Sequence, residues 1–131
     1  MKTLIVEDDF TSRLFLQTLL SRYGECHIAV NGREAVKAFR MAAGDGSPYD
    51  LICMDIMMPE MDGQEALREV RAWEAARGLV PPHGVKIVMT TAVKEMKEVF
   101  RSFRALCDEY VVKPIDTAEL LSKLTSLELI D

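Results

Sequence analysis

The stretch LICMDIMMPEMDG, residues 51–63, decides the fold. It begins with a continuous apolar run, which predicts a strand from Asp50 to Met54 that is buried on both faces of a sheet. Pro59 to Gly63 then breaks the chain before a segment of helical period, whose apolar positions are Leu67, Val70 and Trp73. A buried strand, a turn and an amphipathic helix in this order form the repeating unit of a parallel α/β sheet.

Short apolar runs alternate with helical segments on both sides of this stretch, so that five strand–helix units fit the chain. The other strands are predicted at Thr3–Val6, Glu25–Ala29, Val85–Met89 and Glu109–Val112. The other helices are predicted from Phe10 to about Arg22, after Asn31-Gly32 and ending by Gly44-Asp45-Gly46, from Lys94 to about Arg104, and after an N-cap at Asp116. In the first helix, the residues expected to face the sheet are Phe15, Leu16, Leu19, Leu20 and Tyr23.

Length and composition indicate a single globular domain over residues 1–131. Of the 131 positions, 49% are hydrophobic and 28% are charged, which excludes the disordered, collagen-like and coiled-coil classes. No apolar run approaches the roughly 20 residues of a membrane span, and the N-terminus lacks the features of a signal peptide. We therefore expect a cytoplasmic protein without membrane insertion. The net charge of −5 disfavours direct nucleic-acid binding, which needs clustered Lys and Arg.

Polar residues follow four of the predicted strands. Strand one ends in Glu7-Asp8-Asp9, strand three in Asp55, strand four in Thr90-Thr91, and strand five in Lys113-Pro114. The carboxyl ends of parallel strands lie at one edge of the sheet, so we expect these side chains to converge there. Carboxylates that meet in this way must have raised pKa values or recruit a cation, and Mg²⁺ suits an all-oxygen site. A carboxylate beside Mg²⁺ can attack phosphorus while a Lys ammonium and a hydroxyl neutralise the phosphoryl oxygens.

Four motifs resemble those of a known family: L-I-V-E-D-D at 4–9, M-D-I-M-M-P-E-M-D-G at 54–63, M-T-T-A at 89–92 and Y-V-V-K-P at 110–114. Their order and spacing resemble those of response-regulator receiver domains of the CheY-like kind, over nearly the whole chain. The resemblance implies an α/β, flavodoxin-like three-layer sandwich with five parallel strands in the order 2-1-3-4-5.

The resemblance also implies an acceptor and a metal site. Asp55 corresponds to the phosphoacceptor. Glu7 and Asp8 correspond to the acidic pair that binds Mg²⁺, Asp8 directly and Glu7 through water. The backbone carbonyl of Met57 is expected to supply a further ligand. Asp9 then remains as the start signal of the first helix.

Three further residues receive roles from the resemblance. Thr91 is expected to contact the phosphoryl group and Lys113 to pair with it. Both Thr90 and Thr91 are possible from the residues alone, and the family register together with the small Ala92 favours Thr91. Tyr110 corresponds to the aromatic switch that reports phosphorylation at the protein surface.

By this resemblance, the protein takes a phosphoryl group from a sensor histidine kinase or a histidine phosphotransfer protein and then binds a downstream target protein. We expect a stand-alone regulator that is a monomer or a phosphorylation-dependent dimer, and not a turnover enzyme. Two apolar positions, Met57 and Val93, stand where many relatives carry polar groups beside the path of the hydrolytic water. We therefore predict slow self-dephosphorylation.

Three other functions fit parts of the pattern. A pseudo-receiver would bind partners without phosphorylation, but it would normally lack one of the acid, Thr or Lys residues. A Mg²⁺-dependent phosphohydrolase would need a second Asp where Met57 stands. A nucleotide- or flavin-binding module would need a Gly-rich loop after strand one, and that segment reads Glu7-Asp8-Asp9-Phe10.

Overall fold

The computed structural model describes residues 1–58, 60–80, 83–92, 97 and 105–131. Apart from Lys97, the predicted helix from Lys94 to Arg104 lies outside the described residues, and so does Val93. None of the helices in the described part of the chain is long and apolar enough to cross a membrane.

The fold class is confirmed. The strands are β1 Thr3–Val6, β2 Cys26–Ala29, β3 Leu51–Asp55, β4 Lys86–Thr91 and β5 Glu109–Val112. All neighbouring pairs are parallel, and the sheet order is β2-β1-β3-β4-β5. The α-helices in the described ranges are α1 Phe10–Leu20, α2 Gly32–Gly44, α3 Gly63–Ala75 and α4 Thr117–Ser126.

Strand β4 differs most from its predicted bounds, because it begins at Lys86 and runs through Thr91. The extension follows from pairing on both sides. Thr90 pairs with Asp55 of β3, and Thr91 pairs with Val112 of β5. The Lys113 amide also donates to the Thr91 carbonyl at 2.7 Å. Such ladder bonds depend on the neighbouring strands, so the local apolar pattern underestimated the strand.

Each of the four helices given above begins directly after a loop at the carboxyl edge of the sheet, and a side-chain cap holds that start. The Asp9 carboxylate accepts from the Ser12 amide at 2.9 Å, which confirms Asp9 as the start signal of α1. Caps of the same kind at the other helices are Asn31, Asp62 and Asp116. Each cap contributes about 1 kcal/mol, and together they fix the loops that surround the site.

Two apolar layers cover the sheet. The α2/α3 core contains Val6, Ile52, Met54, Phe39 and Leu67 among other residues. The α1/α4 core consists of Ile5, Leu16, Leu19, Leu20, Leu51, Cys53, Val88, Val111, Leu120 and Leu124. This arrangement buries both faces of β3, as its continuous apolar run predicted.

The predicted inward face of α1 is partly wrong. Leu16, Leu19 and Leu20 are buried, but Phe15 is 40% exposed. A helix that packs on a sheet buries a stripe about 100° wide, and the three leucines fill it. The helix also ends at Leu20, so that Tyr23 lies in a 3-10 turn and is only half-buried.

Candidate functional site

The strand ends bring four predicted site residues to one edge of the sheet. Asp55 is the last residue of β3 and Thr91 is the last residue of β4. Glu7 directly follows β1, and Lys113 directly follows β5. Because all five strands are parallel, these positions share the carboxyl edge, where such folds bind ligands.

Three carboxylates meet at this edge. One oxygen each from Glu7, Asp8 and Asp55 lies within 4.8 Å of the other two, and we call these three residues the acid cluster. Glu7 and Asp55 are buried, whereas Asp8 is exposed. The Asp9 amide donates to Glu7 Oε2 at 3.2 Å, and Arg13 Nη1 donates to the Glu7 carbonyl at 3.3 Å. The cluster is therefore open to solvent at Asp8 and held in place at Glu7.

Lys113 supplies the positive charge in the acid cluster. Its Nζ lies 2.8 Å from Glu7 Oε1 and 3.3 Å from Asp55 Oδ1. Strand β4 separates β5 from β3, so the lysine side chain crosses the end of β4 to reach these oxygens. The Lys113–Pro114 peptide bond is cis. One ammonium thus stands against three carboxylates, which leaves an excess of negative charge that a divalent cation would neutralise.

Burial and crowding shift the ionisation of this site. Burial and then the charge of Glu7 raise the pKa of Asp55 to about 7, although Lys113 acts in the opposite direction. Burial would lower the pKa of Lys113, but its hydrogen bond to Glu7 and the charges of Asp55 and Glu7 outweigh that effect and raise it. Near neutral pH, Lys113 is therefore charged, and the Asp55 carboxyl group is partly protonated. A further cation at the acid cluster would favour the ionised, nucleophilic form of Asp55.

The two threonines of β4 occupy different environments. Thr91 is buried, and its hydroxyl donates to the Ala92 carbonyl at 3.0 Å. Thr91 therefore lies at the expected edge, and its hydroxyl is hydrogen-bonded to the backbone of the next residue. Thr90 lies opposite Asp55 in the sheet, and its buried hydroxyl has no partner within the described residues. Sequence reasoning set Thr90 aside; the polar doublet Thr90-Thr91 at a strand end was the available signal.

The loop after β3 holds the other predicted metal ligand. Met57 lies two residues beyond Asp55, and its side chain is 61% exposed. The loop is fixed at both ends, because the Gly63 amide donates to the Ile56 carbonyl at 2.9 Å and the Gly32 amide donates to the Met61 carbonyl at 2.8 Å. A Cβ at Gly63 would lie 2.2 Å from the Asp55 carbonyl oxygen, so only glycine permits this approach. The role of the Met57 carbonyl stays a prediction.

Tyr110 is half-buried on β5 and packs against the α2/α3 core. Lys123 of α4 donates from Nζ to the Tyr110 carbonyl at 2.6 Å and lies 4.8 Å from the centre of its ring. Tyr110 lies on β5, three residues before Lys113, which directly follows that strand. It is therefore linked to the acid cluster through the backbone of β5, and its switch role stays a prediction.

Comparison with known proteins agrees with this geometry. The family model described as "Response regulator receiver domain" matches residues 3–125. The chain is 37% identical over 120 residues to the regulatory protein AtoC of Escherichia coli K12, covering 91% of this chain and 23% of that protein. The chain thus spans about a quarter of the length of this relative.

Two solved structures are similar over nearly the whole chain. One is the Saccharomyces cerevisiae complex of the phosphotransfer protein Ypd1 with the receiver domain of Ssk1, with a TM-score of 0.82 and 28% identity over 97% of this chain and 88% of that chain. The other is the receiver domain of sensor histidine kinase PA1611 from Pseudomonas aeruginosa PAO1, with a TM-score of 0.76 and 28% identity over 96% of this chain and 95% of that chain. The latter has a magnesium ion coordinated in its active site cleft.

Proposed function

The chain belongs to the response regulator receiver domain family, and from this premise we propose that it is a phosphoacceptor switch of two-component signalling. It takes a phosphoryl group onto Asp55 from a sensor histidine kinase or a histidine phosphotransfer protein, with Mg²⁺. The observation that carries the proposal is the pairing of one ammonium, Lys113, with both Glu7 and Asp55 at the carboxyl edge. A Lys ammonium held beside a carboxylate can neutralise the oxygens of a phosphoryl group transferred to that carboxylate.

The acid cluster fits Mg²⁺. Its three carboxylates are hard oxygen donors, and the exposed position of Asp8 leaves room for water ligands. We propose that Glu7, Asp8, Asp55 and the Met57 carbonyl hold the ion. When bound, Mg²⁺ neutralises the acid cluster and the phosphoryl oxygens.

In this proposal, three side chains of the protein take part in the transfer: Asp55, Lys113 and Thr91. A carboxylate oxygen of Asp55 forms a bond to phosphorus while the bond from phosphorus to the donor histidine nitrogen breaks, and the electron pair stays on that nitrogen. Lys113 then pairs with a phosphoryl oxygen, and the Thr91 hydroxyl turns from the Ala92 carbonyl to donate to another. The product is an aspartyl phosphate on the protein itself. The chain is thus a reactant in its own phosphorylation and dephosphorylation, and not a turnover enzyme.

An apolar surface beside the site supports docking of a protein donor. Phe10, Leu14 and Phe15 of α1 are 66%, 50% and 40% exposed. Phe15, Lys113 and Ile115 line part of an adjoining cavity of about 260 Å³. Apolar side chains that cluster on a surface in this way are typical of protein interfaces. We propose that the donor protein covers α1 and places its phosphohistidine over Asp55.

Tyr110 is the residue that would report phosphorylation of Asp55 to a downstream target protein. Movement of Lys113 toward a phosphoryl group would be transmitted along β5 to Tyr110, three residues away, and would change the surface that binds a downstream target protein. We propose that residues 1–131 form one receiver domain in the cytoplasm, as a monomer or a phosphorylation-dependent dimer, which acts through proteins and without direct nucleic-acid contact.

The test is covalent labelling by a small phosphodonor. The protein and its Asp55→Asn variant are incubated with acetyl phosphate, with and without Mg²⁺, and their intact masses are measured. We expect one phosphoryl adduct on the wild type that requires Mg²⁺ and is absent from the variant. If the wild type gains no adduct while a control receiver domain is labelled, the pseudo-receiver function replaces this proposal. Sustained release of phosphate from an added phosphomonoester would instead indicate a phosphohydrolase.

A further inference from the structure

Thr90 carries a buried hydroxyl that the fold does not explain. The residue is 1% exposed, and its Oγ1 has no hydrogen-bond partner in the described part of the chain. A buried hydroxyl without a partner destabilises a protein, and valine has the same shape without this penalty. An unpaired group of this kind calls for a functional explanation when it lies beside a reactive site.

Thr90 lies on the same face of the sheet as Asp55. The two residues are paired in the parallel register of β3 and β4, so their side chains point to the same side. On its other side Thr90 is paired with Val111, which belongs to the α1/α4 core. Lys113 follows Val111 by two positions and therefore leaves β5 on this face as well. The Thr90 hydroxyl is thus placed between the acceptor and the strand that carries the lysine.

The Lys113 ammonium contacts two of the three carboxylates that a metal ion at the acid cluster would use. The ammonium contacts Glu7 at 2.8 Å and Asp55 at 3.3 Å, and both of these residues belong to the acid cluster. A divalent cation held by the same carboxylates would repel the ammonium and compete for the Glu7 oxygen. The displaced ammonium would move back toward its own strand, across the end of β4. Because the Lys113 side chain is only 26% exposed, an ammonium that leaves one acceptor is stabilised by a second acceptor close by.

We propose that the Thr90 hydroxyl is the acceptor that receives the Lys113 ammonium when a divalent cation occupies the acid cluster. Thr90 is then a positioning residue that acts through Lys113. Its hydroxyl is unpaired while Lys113 contacts Glu7 and Asp55, and it is paired once a cation holds those carboxylates, where it keeps the ammonium at the edge that the phosphoryl oxygens reach. The proposal rests on the proposed function only in that it requires Mg²⁺ at Glu7, Asp8 and Asp55.

Three variants separate this role from simple packing. Thr90→Val removes the hydroxyl and keeps the shape, and Thr90→Ser keeps the hydroxyl. Thr3→Val is the matched control, since Thr3 is also fully buried with an unpartnered hydroxyl but lies at the start of β1, away from the site. For each protein, the midpoint of urea unfolding is measured with and without Mg²⁺, and the Mg²⁺ dissociation constant is measured by calorimetry.

We expect Thr90→Val to unfold, without Mg²⁺, at the same urea concentration as the wild type or a higher one. Its Mg²⁺ dissociation constant should rise about tenfold to a hundredfold, the effect of one hydrogen bond to a charged group. The added stability that Mg²⁺ confers should fall accordingly. Thr90→Ser should bind Mg²⁺ like the wild type, and Thr3→Val should change stability alone. In a Lys113→Met background, Thr90→Val should no longer affect Mg²⁺ binding.

Two results would overturn the inference while the proposed function stands. One is wild-type Mg²⁺ affinity in Thr90→Val. The other is a loss of stability in Thr90→Val without Mg²⁺, which would mean that the hydroxyl is already paired in the ion-free protein. If the wild type itself binds no Mg²⁺, the metal-dependent function fails, and the inference fails with it.

Discussion

The two ends of the sheet each hold a buried ion cluster, and the clusters differ in how completely their groups are paired. At the amino end, Arg71 of α3 lies between Glu74 and Asp108, with Nη1 and Nη2 at 2.7 Å and 2.9 Å from their carboxylates. Its guanidinium also donates to the carbonyls of Leu106 and Val85, at 2.8 Å each. At the carboxyl end, one Lys113 ammonium faces the three carboxylates of the acid cluster.

The carboxylates at the amino end have further donors as well. Glu74 accepts from the Val85 amide at 2.7 Å, and Asp108 accepts from the Ile87 amide at 2.7 Å. We call Arg71, Glu74 and Asp108 the Arg71 network. It joins α3 to the start of β4 and to the loop before β5. Each of the two carboxylates contacts the Arg71 guanidinium and also accepts a hydrogen bond from a backbone amide. A network of this kind stabilises one arrangement of the chain.

The acid cluster leaves charge and hydrogen-bonding capacity unused. With all three acids ionised, the cluster carries two more negative charges than Lys113 can neutralise. The pKa of Asp55 is raised to about 7, and the unpartnered Thr90 hydroxyl lies beside the cluster. Unpaired groups at a solvent-accessible strand edge can accept a metal ion and a phosphoryl group without first breaking a complete network. The comparison therefore distinguishes a cluster that holds the fold from one whose groups remain available for the ligands proposed above.

The largest expected effect is on stability, at the Arg71 network. Arg71→Leu leaves two buried carboxylates without their cation and should lower the free energy of unfolding by about 3–5 kcal/mol. Urea unfolding monitored by circular dichroism measures it. Arg33→Leu, on the exposed side of α2, is the control and should stay within about 0.5 kcal/mol of the wild type. A loss in Arg71→Leu no larger than the control's would remove the distinction between the two clusters.

The second prediction is a pH dependence that comes from the acid cluster. The pKa of Asp55 is about 7 in the folded protein and about 3.9 in the unfolded chain. Between these values the folded state retains a proton that the unfolded state releases, so the stability present below about pH 4 is lost as the pH rises to about 7. We expect a decline of about 2–4 kcal/mol in the absence of Mg²⁺.

Urea unfolding at several pH values measures this decline, and Asp55→Asn isolates it. The asparagine cannot titrate, so the variant should lose the part of the pH dependence that Asp55 causes. Added Mg²⁺ should flatten the wild-type profile in the same way, because the ion stabilises the ionised carboxylate. Identical pH profiles for the wild type and Asp55→Asn would show that Asp55 is not the titrating group.

The smallest effect is kinetic and concerns the loop beside the acid cluster. Met57 has an exposed thioether that cannot orient water, so we expect a long-lived aspartyl phosphate. Met57→Asn adds a donor and an acceptor that can orient the attacking water, and one such hydrogen bond should shorten the half-life roughly tenfold with little change in stability. Decay of the phosphorylated mass after removal of the donor measures it, with Met57→Leu as the apolar control. A half-life in the wild type shorter than that in Met57→Asn would contradict the prediction.

Much of the fold and the candidate site followed from local patterns. The apolar run of β3 indicated a strand buried on both faces, and the polar residues after it indicated the carboxyl edge. These features depend on near neighbours in the chain, because residue spacing sets both the type of an element and the side it buries. Motif spacing then identified the family, and with it the order of the strands.

The sequence by itself determined the element types, the shared edge and the residues that meet there. Only the tertiary structure decided how those residues are paired: Lys113 with Glu7, 106 positions apart, Arg71 with Asp108, and Thr90 with no partner in the described ranges. It also decided that Phe15 of α1 stays exposed. Pairings of this kind depend on which strands become neighbours and on how much space the helices leave above them. Spacing along the chain does not contain that information, because these contacts form only when distant segments pack together.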